Sequence, residues 1–499
     1  MARPCTYKIT SNYYSMIIRL FLILIALLAS SNPSSAVTPK REMRAAWIQT
    51  VFQDHYSRRT PEQNRQWIIE QLDIMAQAGI NAVIFQVRPQ ADAFYRSSLE
   101  PWSRWLSGAA MKDPGWDPLQ FIIQQCHARS MELHAWLNPY RITSSSKQTL
   151  PASHIARKHP ERTIRYNGNL YFDPALPENR EWICRIVDDI VSRYDIDAIH
   201  FDDYFYPYPV GKLRFNDAAS YAKYGKGKKL DDWRRANVDT LIRLVSETIR
   251  SRKPWVRFGI SPFGIWRNDA SHPDGSPTNG LQNYDDLYAD VLLWAREGWI
   301  DYQAPQLYWP LSHDRAPARE LAEWWNEHAY GRYVFIGQDL EKCMDYDELD
   351  EKIELSRNLS SIAGNCWWYA SALTSDYKGA HTSLADMNIV PALPPDYPWL
   401  ADGTPLPKSP DMVHIVDRVL HWHIPDTKNT ESLEDPVSFV VYRLSSGKAS
   451  IDDPRRIEAL IRGDNFWEIP DDCPPGAWFT VTSLDRVNRE SKPAAPVKL

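Results

Sequence analysis

The sequence predicts an α/β protein: a (β/α)8 TIM barrel followed by a small all-β sandwich. Three observations carry that expectation. Between Met43 and Leu373 short apolar runs alternate with helix-period segments, and the runs number eight; parallel strands need helical crossovers, so this alternation reads as βα units. No Gly-rich nucleotide loop follows the first run, which favours a closed barrel over an open doubly wound sheet. Beyond residue 410 the apolar period drops to two and no long helix separates the runs, the pattern of a small sandwich.

The elements follow in order. "RAAWIQTV" (44–51) is the first strand, followed by a helix from Pro61 to Ala78 with Gly79 as its stop. "NAVIFQVRP" (81–89) leads to a helix over about Asp117 to Arg129, and "ELHAWLNPY" (132–140) leads through a long polar loop to a helix near Glu178 to Tyr194. "DAIHFDDY" (197–204) is the fourth strand; a helix over Asp231 to Arg252 separates it from "VRFGISPFG" (256–264). A helix around Tyr284 to Glu297, the strand "DYQAPQLYW" (301–309), and a helix around Ala316 to His328 continue the series. "YVFIGQD" (333–339), a helix around Tyr346 to Ser356 and "GNCWWYA" (364–370) complete the eight. The barrel domain is placed at 41–385, a Pro-rich linker or strap at 386–410, and the sandwich at 411–499. Its strands are "MVHIVDRVLHWHIP" (412–425), "VSFVVYRL" (437–444) and "AWFTVTSLD" (477–485).

The first 36 residues read as a secretory signal. Arg3, Lys8 and Arg19 precede the apolar run Leu20 to Ala29, and small residues follow up to Ala36. The run is about half the length that spans a bilayer. Cleavage would leave an exported chain with no transmembrane span, in the periplasm, at the cell surface or outside the cell. A net charge of -6 gives no general reason to bind nucleic acid. Trp (21) and Tyr (25) both outnumber Phe (15), so the rings favoured are those with a polar handle, which suit wet clefts. Five scattered cysteines follow the signal, with no zinc-like spacing, and His421 and His423 read as strand alternation. There is no H-E-x-x-H, Walker A or G-x-S-x-G motif. Neither metal nor cofactor is implied, and nothing in the sequence specifies an oligomeric state.

Barrel active sites lie at the C-terminal ends of the strands, and here those ends are polar and aromatic. The second strand ends in Arg88 with Asp92 shortly after, the third in Asn138, Tyr140 and Arg141, and the fourth in Asp202 and Asp203 followed by Tyr204 and Tyr206. The fifth ends in Ser261, the sixth in Gln306, Tyr308 and Trp309, the seventh in Gln338 and Asp339, and the eighth carries Trp368. Polar side chains would take sugar hydroxyls and rings would stack on sugar faces. If His200 points into the barrel so does Asp202, while Asp203 turns with the loop or supports from behind. Glycoside hydrolysis uses two carboxyl groups about 5 to 9 Å apart, so Asp339 or Asp92 could supply a partner from another strand. Plainer roles stand beside these: Asp339 as a helix cap, Asp92 in an Asx turn, Arg88 and Arg141 as organisers of carboxylates, His200 as a hydrogen-bonded interior residue.

"MRAAWIQTV", "GINAVIFQVRPQADAFYRSSLEPWS", "LHAWLNPYR", "AIHFDDYFYP", "RFGISPFGIWRN" and "QAPQLYWP" resemble the glycosyl-hydrolase-like family 10 barrel, in order from Met43 to Leu373. The resemblance implies a hydrolase of glycosidic bonds and points to peptidoglycan glycan strands as its substrate. It covers Arg88, Asp92, Asn138, Arg141, Asp202, Asp203, Gln306 and Tyr308; Asp339, after "IGQ", matches no family motif. Asp202 is the first choice for the principal carboxylate, with Asp203 assisting or exchanging roles. Another polysaccharide, or glycan binding without catalysis, are the alternatives. In the tail, "VLHWHIP" and "FTVTSLDRVNRES" resemble strand motifs of fibronectin type III modules.

Overall fold

The computed structural model describes residues 38–424 and 432–499; the signal expected over 1–36 lies outside the described residues. Eight parallel strands close into a barrel: β1 (Met43–Ile48), β2 (Ala82–Arg88), β3 (Glu132–Leu137), β4 (Ala198–Phe201), β5 (Arg257–Ile260), β6 (Tyr302–Gln303), β7 (Tyr333–Asp339) and β8 (Ile362–Trp368). Each pairs with the next, and β8 returns to β1 through Met43–Gly364 to Ala46–Trp367.

Local chemistry explains the elements. The helix Pro61–Gln77 starts on a capping box between Thr60 and Gln63, with Pro at its first position, and buries Asn64, Ile68, Leu72 and Met75 along one stripe. The helix Pro177–Arg193 lays Ile183, Ile186, Val187, Ile190 and Val191 on the sheet. Regular pairing of β6 is only two residues long, shorter than the nine-residue run suggests. Pro305 has no N–H to give to the ladder, and pairing resumes only as isolated bridges from Gln306 to Phe263 and Gly337.

Two sequence expectations are corrected. The polar loop after β3 contains a hairpin, Thr163–Tyr166 with Asn169–Phe172, turned by Asn167 (φ 44°) and Gly168 (φ 78°). An Asn-Gly pair is suited to the left-handed conformations of such a turn. The run 412–425 is also two strands rather than one, Asp411–Val416 and Val419–His423, because Asp417 and Arg418 both adopt positive φ.

With Phe466–Glu468 that hairpin forms a three-stranded antiparallel sheet. Ile457–Arg462, Ser438–Leu444, Trp478–Leu484 and Val497–Lys498 form a four-stranded one. Leu420, Trp422, Phe439, Val441, Phe479 and Val481 fill the space between them.

Barrel and sandwich belong to one compact unit, Thr38–Leu499. The sandwich docks on the N-terminal face of the barrel, where Arg462 meets Asp197 (3.0 Å), Ser130 donates to the Leu460 carbonyl (2.6 Å) and Asn488 donates to Glu132 (2.7 Å). The strap 386–410 runs through the same face: Leu393 bridges to Arg41, Tyr397 is fully buried, and Trp399 donates to Asp301 (2.9 Å). The C-terminal end of the barrel is left open.

A polar chain threads the barrel interior. His134 lies 3.0 Å from Glu132 through Nε2 and 2.8 Å from the Tyr302 hydroxyl through Nδ1. The same hydroxyl is 2.9 Å from His200 Nδ1, and His200 Nε2 accepts from the Trp47 indole at 3.3 Å. Gly259 makes room for it, since a β-carbon there would overlap the Tyr302 ring. Arg257 pairs with Glu132 at the lower end; although burial raises the Glu132 carboxyl, Arg257 and His134 hold it below its ordinary value.

Candidate active site

A cleft of about 240 Å³ opens at the C-terminal end of the barrel. Its walls come from six parts of the rim: Trp47 of β1; Trp136 of β3; Asp202, Asp203, Tyr204 and Tyr208 after β4; Ser261 after β5; Gln306 and Tyr308 after β6; and Trp368 of β8. Regular β4 ends at Phe201. The alternation that would send consecutive side chains to opposite faces therefore stops before Asp202, and both carboxyl groups line the same cleft.

Their surroundings differ. The Asp202 carboxylate accepts from Trp136 Nε1 (3.1 Å), Asn138 Nδ2 (3.1 Å) and the Tyr204 amide (3.3 Å). Burial raises its pKa, and the Arg141 charge and these donors work against that rise. Asp203 accepts from the Tyr208 hydroxyl. Burial first, and the Asp202 charge second, push its pKa up to about 7, against hydrogen bonds that include Tyr208 and Gln306. Tyr208, burdened by burial and by Asp203, keeps its own proton far above neutral pH. Of two adjacent carboxyls, Asp203 is poised to hold a proton near neutral pH and so to act as an acid.

Aromatic rings shape the other walls. Tyr308 stacks on Trp368 at 6.4 Å and 18°, while Trp47 and Trp136 meet Trp368 edge-on at 6.4 and 6.1 Å. Rings set this way present apolar faces with polar edges, the surface a pyranose ring fits.

Several sequence-selected residues support the cleft without lining it. Asn138 has no exposed surface, yet it joins Asp202 to the Arg141 amide, which it accepts at 2.9 Å. Arg141 donates to the Pro89 carbonyl (2.9 Å) and lies 5.0 Å over the Tyr204 ring. Trp309 packs edge-on against Phe263. Asp339 caps the helix Leu340–Asp345 through the Lys342 amide (3.1 Å) and pairs with the Lys342 ammonium (3.0 Å).

Others turn into the core, contrary to the expectation that they bind substrate. Arg88 is buried against Glu100, with Nε and Nη2 at 2.7 and 2.6 Å from its carboxylate, and donates to the carbonyls of Asn138 and Pro139. The guanidinium is used up by its own carboxylate and by the end of β3. Tyr140 is fully buried, and Tyr206 packs on Phe215 and Tyr288 at 5.3 and 5.0 Å. Asp92 is buried outside the cleft, and burial pushes its pKa up to about 7.

Sequence reasoning passed over Trp47 and Trp136 and left Tyr208 and Ser261 out of the selected site. The period of two held the signal for Trp136, since His134, Trp136 and Asn138 share one face of β3. Trp47 shares a face of β1 with Ala45 and Met43, which pack in the same interior cluster.

The glycosyl hydrolase-like 10 family matches residues 42–350. The chain is 38% identical to Glycosyl hydrolase YngK of Bacillus subtilis over 98% of both chains. It is 39% identical to Glycosyl hydrolase DigH of Escherichia coli K12, over 64% of this chain and 80% of that one. Among solved structures, the glycoside hydrolase domain of PgaB (BpsB) from Bordetella bronchiseptica aligns with a TM-score of 0.46 and 13% identity, covering 69% of this chain and 98% of the other.

Proposed function

From the premise that this chain belongs to the glycosyl hydrolase-like 10 family and is a glycoside hydrolase, we propose that it cleaves the glycan strands of peptidoglycan after export. The observation that carries the chemistry is the Asp202–Asp203 pair: one carboxyl surrounded by three N–H donors, its neighbour pushed to a pKa of about 7. Asp203 gives its proton to the leaving glycosidic oxygen as the bond breaks, the role in which a positioned acid contributes about 10² to 10⁴ in rate. Asp202, in its ionised form, balances the positive charge that develops on the sugar ring. Tyr308, Trp368, Trp47 and Trp136 hold the rings, and Tyr204, Tyr208, Ser261 and Gln306 supply polar contacts.

The amino-sugar polymer is supported by the family motifs and by the aromatic cleft; the basic signal 1–36 supports export. The contacts of the tail with the N-terminal face give it a mechanical part in this reading, bracing the barrel from below. A second reading, a neutral polysaccharide, is favoured by the inward turn of Arg88, which removes a cation that could have met the lactyl carboxylates of peptidoglycan.

The test incubates residues 37–499 and an Asp203→Asn variant with peptidoglycan intact, peptidoglycan stripped of peptides, and a panel of neutral polysaccharides. Released fragments are read by mass spectrometry. Wild-type-only fragments from the stripped strands are expected. Fragments from a neutral polymer alone would transfer the assignment to the second reading.

A further inference from the structure

We propose that cleavage in this cleft is assisted by the substrate itself: the carbonyl oxygen of a 2-acetamido group is the nucleophile, oriented by Asp202, and Asp203 is the acid and then the base. The inference rests on the glycoside-hydrolase reading above and narrows it to sugars bearing an N-acetyl group.

A pair of catalytic carboxylates works across the sugar ring, the acid beside the leaving oxygen and its partner at the opposite face of the anomeric carbon. Asp202 and Asp203 are consecutive residues entering from one point of the rim, the end of β4. The other walls include Trp47, Trp136, Trp368, Tyr308, Ser261 and Gln306, none of which carries a carboxyl. Of the other acids the sequence brings to the rim, Asp339 is committed to a helix cap and to Lys342, and Asp92 lies buried outside the cleft. The opposite face of the ring therefore receives no carboxylate from the described residues lining the cleft.

Asp202 is built for a different task. Three donors, from Trp136, Asn138 and the Tyr204 amide, hold its carboxylate in place, and with the Arg141 charge they oppose the rise that burial imposes on its pKa. An anchored anion next to the acid is suited to accept the acetamido N–H, which raises the electron density on the acetamido carbonyl oxygen. The adjoining indole of Trp136 and the ring of Trp368 give the acetyl methyl an apolar seat.

The steps balance. The acetamido oxygen bonds to the anomeric carbon as the glycosidic C–O bond breaks, and Asp203 transfers its proton to the departing oxygen; the sugar becomes an oxazolinium ion whose N–H faces Asp202. Water then attacks the anomeric carbon, Asp203 takes its proton, and the C–O bond of the ring opens to restore the acetamide. Two displacements at one carbon give net retention.

The test uses residues 37–499 with two probes, chito-oligosaccharides and the same oligomers after N-deacetylation, beside peptidoglycan strands stripped of peptides. Proton NMR reads the first anomer released. A thiazoline analogue of N-acetylglucosamine is titrated against wild type and Asp202→Asn, with glucose, which lacks the acetamido group, as the control ligand. The proposal expects retention, at least 100-fold slower cleavage of deacetylated oligomers, and thiazoline affinity lost at least 10-fold in the variant while the control ligand changes less than 3-fold. Inversion, equal cleavage after deacetylation, or a glycosyl group trapped on either aspartate would overturn it. If chito-oligosaccharides meet these expectations and peptidoglycan strands are untouched, the mechanism stands and the peptidoglycan assignment falls.

Discussion

Replacing Asp203 with asparagine should make the protein more stable, and by an amount that depends on pH. The Asp203 carboxyl has a pKa of about 7 in the folded chain against an ordinary value of 3.8. Below pH 3.8 the group is protonated in both folded and unfolded states and contributes no difference. Between 3.8 and about 7 the unfolded chain ionises while the folded one does not, and each pH unit costs the fold about 1.4 kcal/mol. Above 7 the penalty is complete, about 4 kcal/mol for roughly three pH units. The neutral amide introduced by Asp203→Asn can still accept from Tyr208 but has no charge to bury. Denaturant titrations of wild type and variant at pH 4 and pH 8, followed by tryptophan fluorescence, give the comparison. Asp92 and Asp239, also near 7, behave alike in both proteins and cancel. The variant's advantage should grow by several kcal/mol between the two pH values. A difference that is flat with pH would refute the argument that Asp203 carries its proton because it is buried beside Asp202.

Three further outcomes follow from the same contacts. The kcat/KM of wild type should fall above about pH 7 as Asp203 loses its proton; in Asp202→Asn, residual activity should show that limb displaced to lower pH, because one of the two raising influences is gone. Arg88→Met should destabilise by about 3–5 kcal/mol by stranding the buried Glu100, and adding Glu100→Met should restore much of it with substrate KM near wild type; a large rise in KM would return Arg88 to the substrate. Tyr302→Phe leaves His200 Nδ1 and His134 Nδ1 without their shared partner, which should cost about 1–3 kcal/mol and shift the indole N–H resonance of Trp47, as read by NMR.

The barrel was legible in the sequence because its signals are local. Apolar runs, helix stops and the absence of a nucleotide loop can each be read within about twenty residues. The hairpin at Asn167 and Gly168 was not read, because its two four-residue strands, TIRY and NLYF, sit inside a long polar loop that masks so short an element. The candidate site was only partly legible. Asp202, Asp203, Tyr204, Gln306, Tyr308 and Trp368 all reach the cleft, since strand ends define the rim in any such barrel. Arg88 misled because a charged residue at a strand end reads the same whether it meets substrate or a carboxylate 12 residues away in the chain. Trp47 and Trp136 were hidden for the opposite reason: within an apolar strand, a tryptophan facing the cleft looks like core.

The chain of contacts from Trp47 to Glu132 has a direction. An indole N–H can only donate, so His200 Nε2 accepts and the remaining proton of the neutral ring sits on Nδ1, facing Tyr302. The hydroxyl then turns its hydrogen to His134 Nδ1, and His134 presents Nε2–H to Glu132. No member can reverse alone without setting two hydrogens or two lone pairs against each other. The barrel is thus wired one way, like a row of turnstiles, from the aromatic wall of the cleft down to a carboxylate gripped by Arg257 and by Asn488 of the sandwich. The far module thus grips the accepting end of a chain whose polarity the Trp47 indole sets.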